Sequence, residues 1–160
     1  MDFTQFNMID NVVKLEAEQP QPFIHAQSHV PETSFIFDAH FPGFPVLPGV
    51  VMIETIAQAA GMYIVSAYHG DKIAFLYGVE KTRFRDFVSP GALLDIHIRV
   101  LQTGSAYFVS DGDIFCEGKK VASAQVRLTI ADVPDIQIKQ LLLKRAKEIN
   151  IPMQTYDTTT

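Results

Sequence analysis

The chain has 160 residues, 48% of them hydrophobic, and a formal net charge of −5. That is enough apolar material for one domain with a full core, and it excludes a disordered chain. The acidic balance, with no Lys/Arg-rich run to oppose it, argues against a nucleic-acid partner.

The first ten residues lack a basic start followed by an apolar run, so no signal peptide is expected. Residues 3–9 read as a short helix or turn, with Phe3, Phe6 and Met8 giving an apolar side. Residues 11–16 alternate weakly and predict a strand, and residues 19–22 (Gln-Pro-Gln-Pro) a turn. Residues 23–30 have period two and predict a second strand. His25 and His29 share one of its faces with Gln27 between them. No Cys, Asp or Glu stands nearby in sequence to complete a ligand set, so no metal is expected there. Residues 31–39 read as a loop in which Phe35 and Phe37 can pack inward.

The stretch from His40 to Ser66 follows. Its first part carries Pro42, Pro45 and Pro48, which fix φ and remove backbone donors, so it cannot be regular structure. Pro48 suits the first position of a helix over residues 50–68 that is apolar on nearly every face. Glu54, Gln58 and Gly61 interrupt that run, which makes a membrane span a poor reading. Glu54 sits amid Val51, Met52, Ile53, Ile56 and Ala57. A carboxylate held among apolar neighbours is costly unless it is paired, and it tends to mark a site. His40 on the rigid loop before it makes an acid–base pair possible; a loop histidine and a solvated glutamate are the bland alternative.

Residues 69–71 (His-Gly-Asp) stop the helix. Strands are predicted over 73–84, with a bulge or bend at Gly78, and over 93–101, after a turn at 89–91. In the latter strand His97 falls on the polar face, where it reads as solvent-exposed. Two further strands over 107–116 and 121–130 are joined by a hairpin signal at 117–120. Cys116, the single cysteine, lies in the first of these and reads as a small packing residue. It cannot form an internal disulfide, which fits a reducing cytoplasm. Residues 135–149 predict an amphipathic helix with Ile136, Ile138, Leu141, Leu142, Ala146 and Ile149 on its apolar side and a basic opposite face. Residues 152–160 read as a frayed tail. The sequence contains no internal repeat and no linker that would divide residues 1–160 into more than one domain.

The 40–58 stretch closely resembles the β-hydroxyacyl-acyl-carrier-protein dehydratases of fatty-acid synthesis, the FabZ type of the FabA/FabZ group in the hotdog superfamily. Their pattern His-Phe-Pro-Gly-x-Pro-x-x-Pro-Gly-Val-x-x-x-Glu-x-x-Ala-Gln is met at every fixed position, from His40 to Gln58. Residues 78–85 with 88–91 resemble the family's second recurring block, and the likeness extends over about 6–130. The resemblance implies an α+β hotdog fold, one long apolar helix wrapped by an antiparallel sheet. It implies dehydration of (3R)-3-hydroxyacyl-acyl-carrier-protein to the trans-2-enoyl product, in fatty-acid or lipid A acyl-chain synthesis. It implies no cofactor and no metal, and a cytoplasmic homodimer or trimer of dimers that does not insert in a membrane.

In that reading His40 is the base, since imidazole titrates near neutral pH, and Glu54 the acid, since an apolar wall favours a protonated carboxyl. The Gly49 N–H, in the first helical turn, is the oxyanion donor. Gln58, one turn beyond Glu54, orients its carboxyl or is simply a polar packing residue. Gly61, seven residues beyond Glu54 and near the same helix face, lines an acyl channel or only allows close helix–sheet packing. His and Glu of one site come from different subunits in the family. Lys81, Arg83 and Arg85, at period two, share a strand face that can meet the acidic carrier protein or remain merely solvated.

Two departures stand out. The family's Pro-His-Arg-x-Pro-Phe segment has no match before Asp10, and the C-terminal helix is longer than typical, as in a divergent subgroup serving unusual or very long acyl chains. Two other readings are an acyl thioesterase, which needs no His-Phe-Pro-Gly loop, and a non-catalytic acyl-binding subunit, in which His40 or Glu54 should be lost. A FabA-type dehydratase/isomerase should carry aspartate in place of Glu54.

Overall fold

Period-two alternation decides which side of each strand turns inward, and one nineteen-residue helix supplies what it turns towards. The computed structural model describes residues 1–17 and 21–153. In chain order these form β1 (Asn11–Glu16), β2 (Phe23–His29), α1 (Phe35–Ala39), α2 (Gly49–Ala67), β3 (Lys72–Phe84), β4 (Leu93–Thr103), β5 (Tyr107–Cys116), β6 (Lys119–Asp132) and α3 (Ile136–Glu148). The six strands make one antiparallel sheet in the order β1-β2-β4-β5-β6-β3. The chain therefore leaves β2 and must cross to the far edge before β3 can pair with β6. Helix α2 makes that crossing, and the sheet wraps around it.

Leu94, Ile96 and Ile98 of β4, with Ile24, Ile114 and Val126, are fully buried against Ile56, Ala59, Ala60 and Ile64 of α2. Each such aliphatic side chain contributes about 1.5–3 kcal/mol by leaving water. Contact is closest at Gly112, where an added Cβ would stand 2.2 Å from Ile56 Cγ2. Only glycine lets the helix lie this close to β5. The arrangement is α+β and of the hotdog type. α2 is apolar enough to cross a membrane, but 61% of its apolar window is buried inside the fold. It serves as the core helix.

Several boundaries differ from the sequence reading. Residues 31–39 are not all loop: Ser34 Oγ accepts from the Ile36 N–H at 3.3 Å and starts α1. Phe37 is buried there, edge-on to Phe3, whereas Phe35 stays 68% exposed. Pro48 is the N-cap of α2, in extended conformation, and the helix begins at Gly49. Of the helix or turn expected over residues 3–9, a turn forms, closed by the Asp2 and Asn7 backbones on each other at 2.6 and 2.8 Å. The expected turn at 19–22 falls partly outside the described residues, as does the tail from 154 onward.

The bulge foreseen at Gly78 is present, since the β3–β6 register slips between Leu76 and Gly78. A second slip, unforeseen, lies between Glu80 and Arg83 around Lys81 (φ +51°). Glu117 and Gly118 both have positive φ (50° and 75°), as the two-residue β5–β6 hairpin requires.

Asp135 caps α3 by accepting from the Gln137 and Ile138 N–H groups at 2.8 and 2.9 Å. Ala146 and Ile149 anchor the helix, while Ile136 and Leu141, expected on its apolar side, point to solvent. The helix touches the fold along a narrower stripe than its composition suggests. Arg145 donates to the Ile9 carbonyl, and Ser66 Oγ donates to the Pro152 carbonyl at 2.5 Å. The C-terminal segment is thereby tied to both the N-terminal segment and α2.

His97 is not solvated. Its ring is half-buried against His25 (4.6 Å between centroids) and Phe115 (5.0 Å) on the outer sheet face. The β2–β4 register also brings Asp95 beside His25, whose Nε2 lies 2.8 Å from Oδ1, and Gln27 Nε2 donates to the same oxygen at 3.1 Å. This carboxylate is distant in sequence, which is why no acidic neighbour was expected for the two β2 histidines.

Candidate active site

Two hydrogen bonds hold the loop after α1, one within it and one to the segment beyond β3. The Val46 N–H donates to the His40 carbonyl at 3.0 Å, and the Leu47 N–H donates to Val88 at 2.8 Å. The first places the Val46 carbonyl 3.1 Å from His40 Nδ1. A carbonyl only accepts, so Nδ1 carries the proton and Nε2 is left as the basic nitrogen. The ring stacks on Phe41 at 4.3 Å. His40 lines a cavity of about 490 Å³ whose walls include Val46, Leu47, Gly49, Met52 and Phe84.

Gly49 opens α2 at the floor of this cavity. Its N–H belongs to the first helical turn and has no partner among the described residues. The Phe84 ring lies against Gly49, and an added Cβ would come within 2.7 Å of its Cζ. Glycine is thus needed for the ring to reach this position as well as for access to the N–H.

Glu54 is half-buried, not enclosed as its neighbours in sequence suggested. Gln58 Nε2 donates to Glu54 Oε1 at 2.9 Å and to the Phe6 carbonyl at 2.8 Å, while Gln58 Oε1 accepts from the Met8 N–H at 2.9 Å. The backbone contacts fix which way the amide points. They leave Oε1 of Glu54 as an acceptor and Oε2 as the oxygen able to carry a proton.

Glu54 lines a second cavity, of about 260 Å³, that includes Gly61 and the start of β3; His40 is not part of it. Within one chain the histidine and the carboxylate face different spaces. At Gly61 an added Cβ would meet nothing within 4 Å.

The basic trio does not form one regular row, because the slip at Lys81 breaks the period. Lys81 lines an outer-face cavity with Arg99, Asp111 and Asp113. Arg85, beyond the end of β3, donates to Ser123 Oγ at 2.8 Å and lines the His40 cavity. Cys116 is partly buried, and that burial pushes its thiol pKa up, away from the reactive thiolate.

A family model describing a FabA-like domain matches residues 2–125. The chain belongs to the FabA-like family. Among relatives, a 3-hydroxyacyl-[acyl-carrier-protein] dehydratase FabZ of a Nitratiruptor species is 33% identical over 134 residues, covering 79% of this chain and 88% of that protein. A FabZ of Erythrobacter litoralis is 36% identical over 114 residues, covering 69% and 76%. Of solved structures, the dehydratase heterocomplex ApeI:P from Xenorhabdus doucetiae has a TM-score of 0.64 at 20% identity, covering 86% of this chain and 90% of that one. A putative thioesterase from Lactococcus lactis reaches 0.63 at 13%, covering 83% and 100%. At these identities the two structures speak for the fold alone.

The contributions of Phe84, Phe6 and Met8 escaped the sequence reading. Phe84 stands next to the basic residues of the second family block but drew no attention, since a single aromatic in a strand reads as core. Phe6 and Met8 act through backbone atoms, for which sequence carries no signal.

Proposed function

We infer that this FabA-like chain dehydrates 3-hydroxyacyl groups carried as thioesters on acyl carrier protein, giving the 2-enoyl thioester and water. The observation carrying this is the pairing of a histidine whose Nε2 is left basic with a carboxyl oriented through Gln58, at the family's spacing. His40 Nε2 takes the C2 proton. Glu54 Oε2 gives a proton to the departing C3 hydroxyl, which leaves as water. The Gly49 N–H holds the thioester oxygen as charge builds on it, an interaction worth about 3 kcal/mol at comparable sites.

Two copies of the chain complete each site. His40 and Glu54 line separate cavities in one chain. β3 ends the sheet as a free edge with Phe75 and Tyr77 52% and 79% exposed, and Val50 on α2 is 72% exposed. A second copy on this edge would cover these side chains and bring one protomer's His40 to the other's Glu54. Arg85, beside the His40 cavity, can meet the acidic carrier protein, whereas Lys81 stands apart from it among Arg99, Asp111 and Asp113. The single free cysteine suits a cytoplasmic enzyme.

The test is incubation with 3-hydroxyacyl thioesters while enoyl absorbance and free thiol are followed together. Absorbance without thiol is the expected result. Thiol alone would make the protein a thioesterase, and neither signal an acyl-binding subunit.

A further inference from the structure

We propose that Leu142, on the C-terminal helix α3, is the stop that sets how long an acyl chain this protein accepts. For the identity of the ligand the proposal rests on the dehydratase reading; the geometry stands apart from it. The Glu54 cavity follows one face of α2 through Ala57, Gly61 and Val65, a spacing of three to four residues. From Glu54 to Val65 that stripe runs about 16 Å along the helix axis. Its facing wall is the start of β3 and Leu128, both apolar. A ligand with its polar head at Glu54 therefore sends an apolar tail towards the C-terminal end of α2.

Leu142 is the residue α3 contributes to this cavity. Its neighbours on α3, Leu143 and Lys139, reach Gly70, where an added Cβ would lie 3.0 and 3.6 Å from them. Gly70 is in the turn beyond the end of α2, so Leu142 stands at the end remote from Glu54. The FabA-like match ends at residue 125, before α3 begins. The stop is thus supplied by a segment outside the matched domain.

Two variants of the full-length protein test this, Leu142→Ala and Leu142→Phe. Binding of decanoyl- and palmitoyl-pantetheine amides is measured by calorimetry, alongside turnover of the corresponding 3-hydroxyacyl thioesters and melting curves. Leu142→Ala should raise the palmitoyl-over-decanoyl preference about tenfold, and Leu142→Phe should lower it by a similar factor. A preference unchanged in both variants, shifted the same way in both, or lost evenly at both lengths would overturn the proposal. Chain-length-dependent binding without turnover by the wild type would instead refute the dehydratase reading and leave the stop in place. No binding of either amide by the wild type would refute both.

Discussion

The proposed proton transfer depends on which atom of each side chain is left uncommitted. His40 spends Nδ1 on the Val46 carbonyl, and Glu54 receives Gln58 on Oε1. His40→Ala and Glu54→Gln should therefore each lower kcat by at least about 100-fold. The double variant should be little worse than the worse single, because both groups serve one step. Steady-state kinetics on the three proteins decide, and full activity in either single variant would refute the roles. These two positions, and Gln58, were singled out in the sequence because their identity and spacing are themselves the signal. Phe84, Phe6 and Met8 were not, because tertiary folding delivers them from elsewhere in the chain. The same holds for His97, whose burial follows from β2 and β5 flanking it. Desolvation first, then the neighbouring His25, lowers its pKa below the usual 6.5, against the opposing pull of Asp95 and Asp113; Arg99 adds to the lowering. The unfolded chain thus binds a proton at this position more readily than the native one. Stability should fall as pH drops below about 6.5 and be fully present above it. Melting temperature measured from pH 7.5 to about 5 should decline less in His97→Gln than in the wild type. Parallel curves would remove His97 as the cause.

At the scale of elements, α2 carries both the carboxyl proposed as the acid and the wall of the proposed channel. Gly61 lies seven residues beyond Glu54, about 10 Å along the axis and near the same face. A side chain there enters open space, not the sheet, so within one chain overpacking is not the expected penalty. Gly61→Leu should shorten the preferred acyl chain, spare the shortest substrates and leave the melting temperature nearly unchanged. Chain-length profiles and melting curves on the one variant check this; uniform loss with a lowered melting temperature would mean that Gly61 serves packing. The long elements could be read from sequence because each is decided within itself: α2 by its apolar run after Pro48, β4 by strict alternation, α3 by its periodicity. What escaped was decided between elements. α1 is five residues long and rests on Ser34 and the burial of Phe37. The slip at Lys81 exists only in the pairing of β3 with β6, and it separates three basic residues whose spacing suggested one row.

The whole molecule raises the question of why a chain with a well-filled core leaves so much apolar surface on one edge. Phe75, Tyr77 and Phe84 on β3, Val50 on α2 and Phe87 beyond the strand are each at least half exposed. Exposed apolar groups along the open edge of a strand form a template for another chain. If a second copy occupies that edge with two-fold symmetry, each chain lends its histidine to one site and its carboxyl to the other. Each defect then disables a different half of every site. A heterodimer of His40→Ala with Glu54→Gln places both lesions in one of its two sites and leaves the other intact. Mixing the two inactive proteins under conditions of subunit exchange should restore activity. With random exchange about half of the dimers are mixed, each with one working site, so recovery should approach about a quarter of the wild-type level. Exchange is followed independently with differently labelled subunits, and activity is read on the same sample. Exchange without recovery would show that each site is built within a single chain, and the exposed edge would then need another occupant.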